Sequence, residues 1–203
     1  MLNVRKRFAV LGLSATVLGG LVLGAAGPAQ AATLKCGGKT ATVIGTNGDD
    51  SLVGTGGVDV FVARGGVDYI EGRGGNDIIC AGNGDDLIAG NAGNDKIYGE
   101  GGVDQILADS GNDSIWGGSG DDVILGGKGN DKIYGDAGLD IVTGDAGVDT
   151  IRGGTGNDIL TGGAGNDKIY GDAGSDVIGG EGGKDKLVGG SGRNYIYQGN
   201  LPN

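Results

Sequence analysis

From Leu52 to Ile196 an apolar residue returns every nine positions, and the positions around it are mostly polar or glycine. The column runs Leu52, Phe61, Ile70, Ile79 and onward without a slip, with Ile in most places and Leu, Val or Phe in the rest. Three residues centred on each of these read as a short strand, its middle side chain pointing inward and its neighbours outward. The stretch before each strand is rich in Gly and ends on Asp, which is turn material. Gly reaches backbone conformations closed to other residues, and Asp bonds to nearby backbone amides.

Cut from Gly45, the chain divides into 17 units of nine residues, GTNGDDSLV, GTGGVDVFV, ARGGVDYIE and so on to GGSGRNYIY, with no insertion or deletion. The fourth position is Gly in all 17, and the sixth is Asp in 16, with Asn194 in the last unit. Turn, strand, turn, strand then closes one coil every two units. Odd-numbered units stack into one parallel sheet and even-numbered units into the other, with strands ~4.8 Å apart. This predicts a single elongated domain over residues 45–197, preceded by a capping segment at 32–44 and followed by a short tail at 198–203.

Units such as GGKGNDKIY (Gly126 to Tyr134) and GGTGNDILT (Gly153 to Thr161) match GGxGxDxUx, with U a large apolar residue, at every position. In this the chain resembles the repeats-in-toxin, or hemolysin-type calcium-binding, repeat family. The resemblance implies an all-β fold, a right-handed parallel β-roll (solenoid), and Ca²⁺ held between the turns of successive coils by Asp carboxylates and backbone carbonyls. Two columns of metal ligands follow. One edge carries Asp50, Asp68, Asp86, Asp104, Asp122, Asp140, Asp158 and Asp176; the other carries Asp59, Asp77, Asp95, Asp113, Asp131, Asp149, Asp167 and Asp185.

The charge pattern points independently to the same ion. Stacking brings each Asp close to the Asp two units on, and like charges so placed oppose folding unless a cation lies between them. A set of hard oxygen ligands selects Ca²⁺ over transition metals. Turn capping alone would accept Asn or Ser as readily as Asp. Units 1 to 3 and 5, which depart from Gly-Gly at their start, are expected to be weaker sites, and Asn194 marks an end without a full site.

Before the repeats, Arg5, Lys6 and Arg7 precede an apolar stretch, Phe8 to Ala26, and the small-residue pattern Ala29-Gln30-Ala31. This reads as a signal peptide over residues 1–31, hence a secreted, extracellular protein. Gly12, Gly19, Gly20 and Gly24 dilute the stretch and disfavour the alternative of an uncleaved anchor, and no membrane span is expected in the mature chain. The leader takes with it three of 15 basic residues and none of 26 acidic ones, moving the net charge from −11 to −14. Nucleic acid is therefore a poor partner. With no His in the chain, Ser-His and Cys-His nucleophile pairs and His-ligated zinc are excluded. The large toxins of the family carry a C-terminal export signal, so their activity is not carried over, and no enzyme is expected.

Cys36 and Cys80 are expected to form one disulfide in an exported protein, pinning the N-terminal segment across the first coils and covering the open end of the stack. Free or intermolecular thiols are the alternative; the pair is similar to that of secreted actinobacterial repeat proteins. The outward positions differ between the sheets. The odd sheet presents Tyr69, Leu87, Leu107, Val123, Leu125, Ile141, Ile159 and Val177, an aliphatic face suited to self-association. The even sheet presents Lys96, Tyr98, Trp116, Lys132, Tyr134, Arg152, Lys168, Tyr170 and Lys186. Tyr98, Trp116 and Tyr134 should stack as a ladder, and the face either binds an anionic cell-surface glycan or is ordinary sheet surface guarded by lysines.

Overall fold

The computed structural model describes residues 34–199, and the expected signal peptide, residues 1–31, and residues 200–203 lie outside them. The described chain is all β, with 20 strands and no helix. A short hairpin, β1 (Lys35–Cys36) and β2 (Lys39–Thr40), comes first. From β3 (Val43–Ile44) to β20 (Tyr195–Tyr197), strands then alternate between two nine-stranded parallel sheets. One contains the even-numbered strands from β4 (Ser51–Val53) to β20, and the other the odd-numbered strands from β3 to β19 (Lys186–Val188).

Register follows the period. Ile106 pairs with Ile124 and Ile115 with Ile133, each an offset of one coil. The core is two single files of side chains facing each other between the sheets. Leu52, Ile70, Ile88, Ile106, Ile124, Val142, Leu160 and Ile178 form one file; Phe61, Ile79, Ile97, Ile115, Ile133, Ile151 and Ile169 form the other, and all are buried. Two large apolar side chains per coil is little burial for so much ordered backbone, so the edges must also stabilise the stack.

The turns depend on close backbone approach. At the fourth position Gly75 has φ of 116°, and a Cβ there would lie 2.5 Å from the carbonyl of Gly57 in the coil below. Both the conformation and the distance require glycine. At the second position the left-handed region is occupied even by larger residues, among them Arg64, Arg73, Asp136 and Glu181.

The N-terminal segment supplies a strand of the stack. Val43 aligns with Phe61, so the sheet of odd-numbered strands begins one unit before the recognisable repeats. Cys36 and Cys80 are joined by a disulfide. Because Cys80 points outward from its sheet, the bond draws the hairpin onto the outer face and not over the open end of the stack as expected. A Cβ on Gly37 would touch the side chains of Ile78 at 3.0 Å and Tyr98 at 3.9 Å. Cys36 and Val60 are buried there.

Candidate metal centres along the two edges

The sixth-position Asp residues line the two edges of the roll, and each from Asp68 to Asp185 is tied to the coil before it. The backbone N–H of Asp104 donates to Oδ1 of Asp122 at 2.8 Å, and that of Asp113 to Oδ1 of Asp131 at 2.8 Å. The same bond recurs from Asp50 N–H to Asp68 through Asp167 N–H to Asp185. One carboxylate oxygen is thereby committed to holding the stack.

The other oxygen is left bare. In fourteen Asp residues, Asp68 through Asp185, Oδ2 is buried and has no hydrogen-bond partner. The side chains from Asp68 to Asp176 are at most 2 % exposed. Where the first position of the unit is Gly, Oδ2 lies beside it, and in most of these units the corresponding carbonyl of the next coil is also close. A Cβ on Gly72 would lie 2.5 Å from Oδ2 of Asp77 and 2.8 Å from the carbonyl oxygen of Gly90. At most steps a small cradle of oxygens is thus kept open by glycine; Ala63, Ala81 and Ala108 stand at this position in the units of Asp68, Asp86 and Asp113.

Leaving a buried carboxylate oxygen unsatisfied is costly in the ionised form. Burial pushes the carboxyls of Asp86, Asp113, Asp122, Asp140 and Asp149 up to about 7. Those of Asp95, Asp104, Asp131 and Asp158 rise to about 6. The amide bonded to Oδ1 opposes the shift, and neighbouring carboxylates add to it. Either a proton or a cation relieves the strain. Calcium fits the donor set, which is oxygen only, hard and anionic. Among the described residues no group of three or more His, Cys, Asp or Glu side chains gathers at one point. Backbone carbonyls of the Gly-rich turns would therefore have to complete each coordination sphere.

The structure divides the expected weak sites. Units 3 and 5 place Asp68 and Asp86 like the rest, each with a bare Oδ2. Units 1 and 2 differ, because Thr46 and Thr55 bond to Oδ2 of Asp50 and Asp59. Asn194 accepts the Asp176 N–H at 2.8 Å through Oδ1, as an Asp would, but carries an amide nitrogen in place of Oδ2.

A second ladder is not apparent from the repeat pattern. At the fifth position, Asp or Asn side chains accept the N–H of the same position in the next coil, as in Val67 to Asp49, Asn112 to Asn94 and Leu139 to Asp121, at 2.6–2.8 Å. Its signal in the sequence is the frequency of Asp and Asn in a column that otherwise reads as variable.

On the outer faces, Tyr98 stacks on Trp116 with centroids 4.7 Å apart, and Trp116 on Tyr134 at 5.6 Å. Arg152 follows Tyr134 in register, lies 4.7 Å from the Tyr170 ring centre and is bonded to Asp172 at 2.9 and 3.1 Å. Lys96, Lys132, Lys168 and Lys186 are exposed beside this row. The aliphatic face is less open than expected. Leu125 is only 3 % exposed, since it stands in register between Leu107 and Thr143 and strands this close cover one another's side chains. The exposed large apolar residues are instead at turn tips, including Val58, Val67, Val103, Leu139 and Val148, and near the last coil.

The raised carboxyls give a pH dependence with a definite sign. Their folded pKa lies above the unfolded value of 3.8, so the folded chain binds more protons and loses stability as pH rises through that interval. In chelator, the β-sheet signal in circular dichroism is expected to be stronger near pH ~5 than near pH ~8. A calcium-free chain that becomes more stable over this range contradicts the buried columns.

Comparison with known families agrees with the geometry. The RTX calcium-binding nonapeptide repeat (four copies) matches residues 44–79, 81–115, 107–142, 116–151, 143–178 and 179–197. No curated protein matches the chain. The matches cover nearly all of the described residues, and the chain belongs to the family of RTX calcium-binding nonapeptide repeat proteins.

Proposed function

We propose that the protein is exported and works outside the cell as a calcium-ordered β-roll, a structural or binding module without a catalytic step of its own. The observation that carries this reading is the set of fourteen buried Asp Oδ2 atoms without a partner. In this reading Asp68 to Asp185, with carbonyls of the intervening turns, hold the ions. A bound divalent cation supplies positive charge to the bare oxygens and cross-links one coil to the next. Export is supported by the leader-like segment ahead of Ala32 and by the Cys36–Cys80 disulfide, a bond that persists in oxidising compartments.

Because only the folded state brings the carboxylates together, folding and ion binding are coupled. At neutral pH the mature chain is expected to be largely unfolded in chelator and to gain β-structure on adding calcium, as read by circular dichroism. Magnesium, which demands near-ideal octahedral geometry and dehydrates reluctantly, is expected to be far less effective. Identical spectra with and without calcium contradict the reading.

A second, finer reading is favoured by the row Tyr98, Trp116, Tyr134, Arg152 and Tyr170. Its flat rings, flanked by lysine ammonium groups on an acidic protein, suit an anionic cell-surface glycan. Trp116→Ser with Tyr134→Ser is expected to fold with calcium as before but to lose retention on isolated acidic cell-wall polymer. Unchanged retention would mean that the row is scaffold.

A further inference from the structure

The two edges do not begin as they continue. In units 3 to 17 the second and fourth positions all lie in the left-handed region, from Arg64 and Gly66 to Gly190 and Gly192. In units 1 and 2 none of these positions does, whether Thr46, Gly48, Thr55 or Gly57. The altered turns aim Thr donors at the carboxylate. Oδ2 of Asp50 accepts the Thr46 N–H at 2.6 Å and its hydroxyl at 3.0 Å. Oδ2 of Asp59 accepts the Thr55 N–H at 2.6 Å and its hydroxyl at 2.9 Å. Each hydroxyl in turn accepts an N–H, from Gly48 at 3.2 Å and Gly57 at 3.1 Å, so both turns close on themselves.

We propose that Thr46 and Thr55 take the place of a cation at the first turn of each edge, so that the metal columns begin at Asp68 and Asp77. This rests on the calcium reading above and deepens it. The contrast is direct: Oδ2 is doubly bonded in Asp50 and Asp59 but bare and buried in the fourteen Asp residues that follow. At the other end of the Asp50 edge, Asn194 sets a second limit. Its amide nitrogen stands beside Gly189, where each preceding Asp presents an anionic oxygen, and donates weakly to the Gly190 carbonyl at 3.5 Å. An amide nitrogen is a donor and offers a cation no lone pair.

The consequence is a roll with two calcium-independent turns at its disulfide-bonded end. Those turns are held by their own hydroxyls, and the remaining coils wait for the ion. The N-terminal end then serves as a seed on which coils add as calcium arrives, in keeping with the nearest-neighbour character of stacked repeats.

The test compares calcium stoichiometry, by equilibrium dialysis, for the full mature chain and its variants. Thr46→Gly with Thr55→Gly restores the family's second-position glycine and is expected to bind two more calcium ions than wild type. Asn194→Asp, at the far end, is expected to bind one more. Thr46→Ser with Thr55→Ser keeps both hydroxyls and should match wild type. Hydrogen exchange of wild type in chelator should show residues 45–62 protected at least tenfold more than residues 63–197, and the double Gly variant should lose that difference. Equal stoichiometry in wild type and both gain-of-site variants overturns the proposal while leaving calcium binding intact. Wild type that binds no calcium removes the underlying reading itself.

Discussion

Everything in this fold depends on a carboxylate that must serve two masters. Each sixth-position Asp from Asp68 to Asp185 offers Oδ1 to a backbone N–H of the coil before it, a bond that sets the spacing of the stack. The same bond fixes the side chain in a buried position where Oδ2 has no hydrogen-bond partner and, in most units, lies against a glycine and a carbonyl oxygen. A buried ionised group without a partner is among the most expensive features a protein can carry. Repeated along both edges, it makes the unliganded roll acid-favouring and leaves a hard-oxygen cradle at each step. The narrow core, one file of Ile and related residues per sheet, has little apolar burial with which to offset this.

Much of this was legible because the period does most of the folding. A strict nine-residue repeat assigns Ile106 and Ile124 to one file and Ile115 and Ile133 to the other, as found. Spacing by two units likewise places Tyr98, Trp116 and Tyr134 in one stack. What was not legible lay in relations between coils. The fifth-position ladder is invisible in a single unit, because the acceptor Asp49 serves Val67 in the next coil. Leu125 looked outward by alternation and does point outward, yet ladder neighbours cover it. The hairpin's place on the outer face follows from the direction of Cys80 and not from the spacing of the two cysteines.

Edges and faces divide the labour of the molecule. The edges carry the acidic columns and, with Thr46, Thr55 and Asn194, also their ends. The outer face of the odd-numbered strands gathers the aromatic row and exposed lysines, although the Arg152 charge is shared with Asp172 and the Tyr170 ring. This separation lets the surface vary without touching the ion cradles. It also explains why the departures from repeat consensus at the edges are informative: in the edge columns a change of one residue type alters the charge that the stack must neutralise.

The central claim is that the buried Asp columns hold either protons or calcium. Proton release on calcium binding tests it most directly, by titration calorimetry in buffers of differing ionisation enthalpy. With several of these carboxyls raised to about 6 or 7, binding near the lower end of that range is expected to release protons, and the release should fade toward pH ~8.5. Calcium binding with no proton release at either pH would contradict the account.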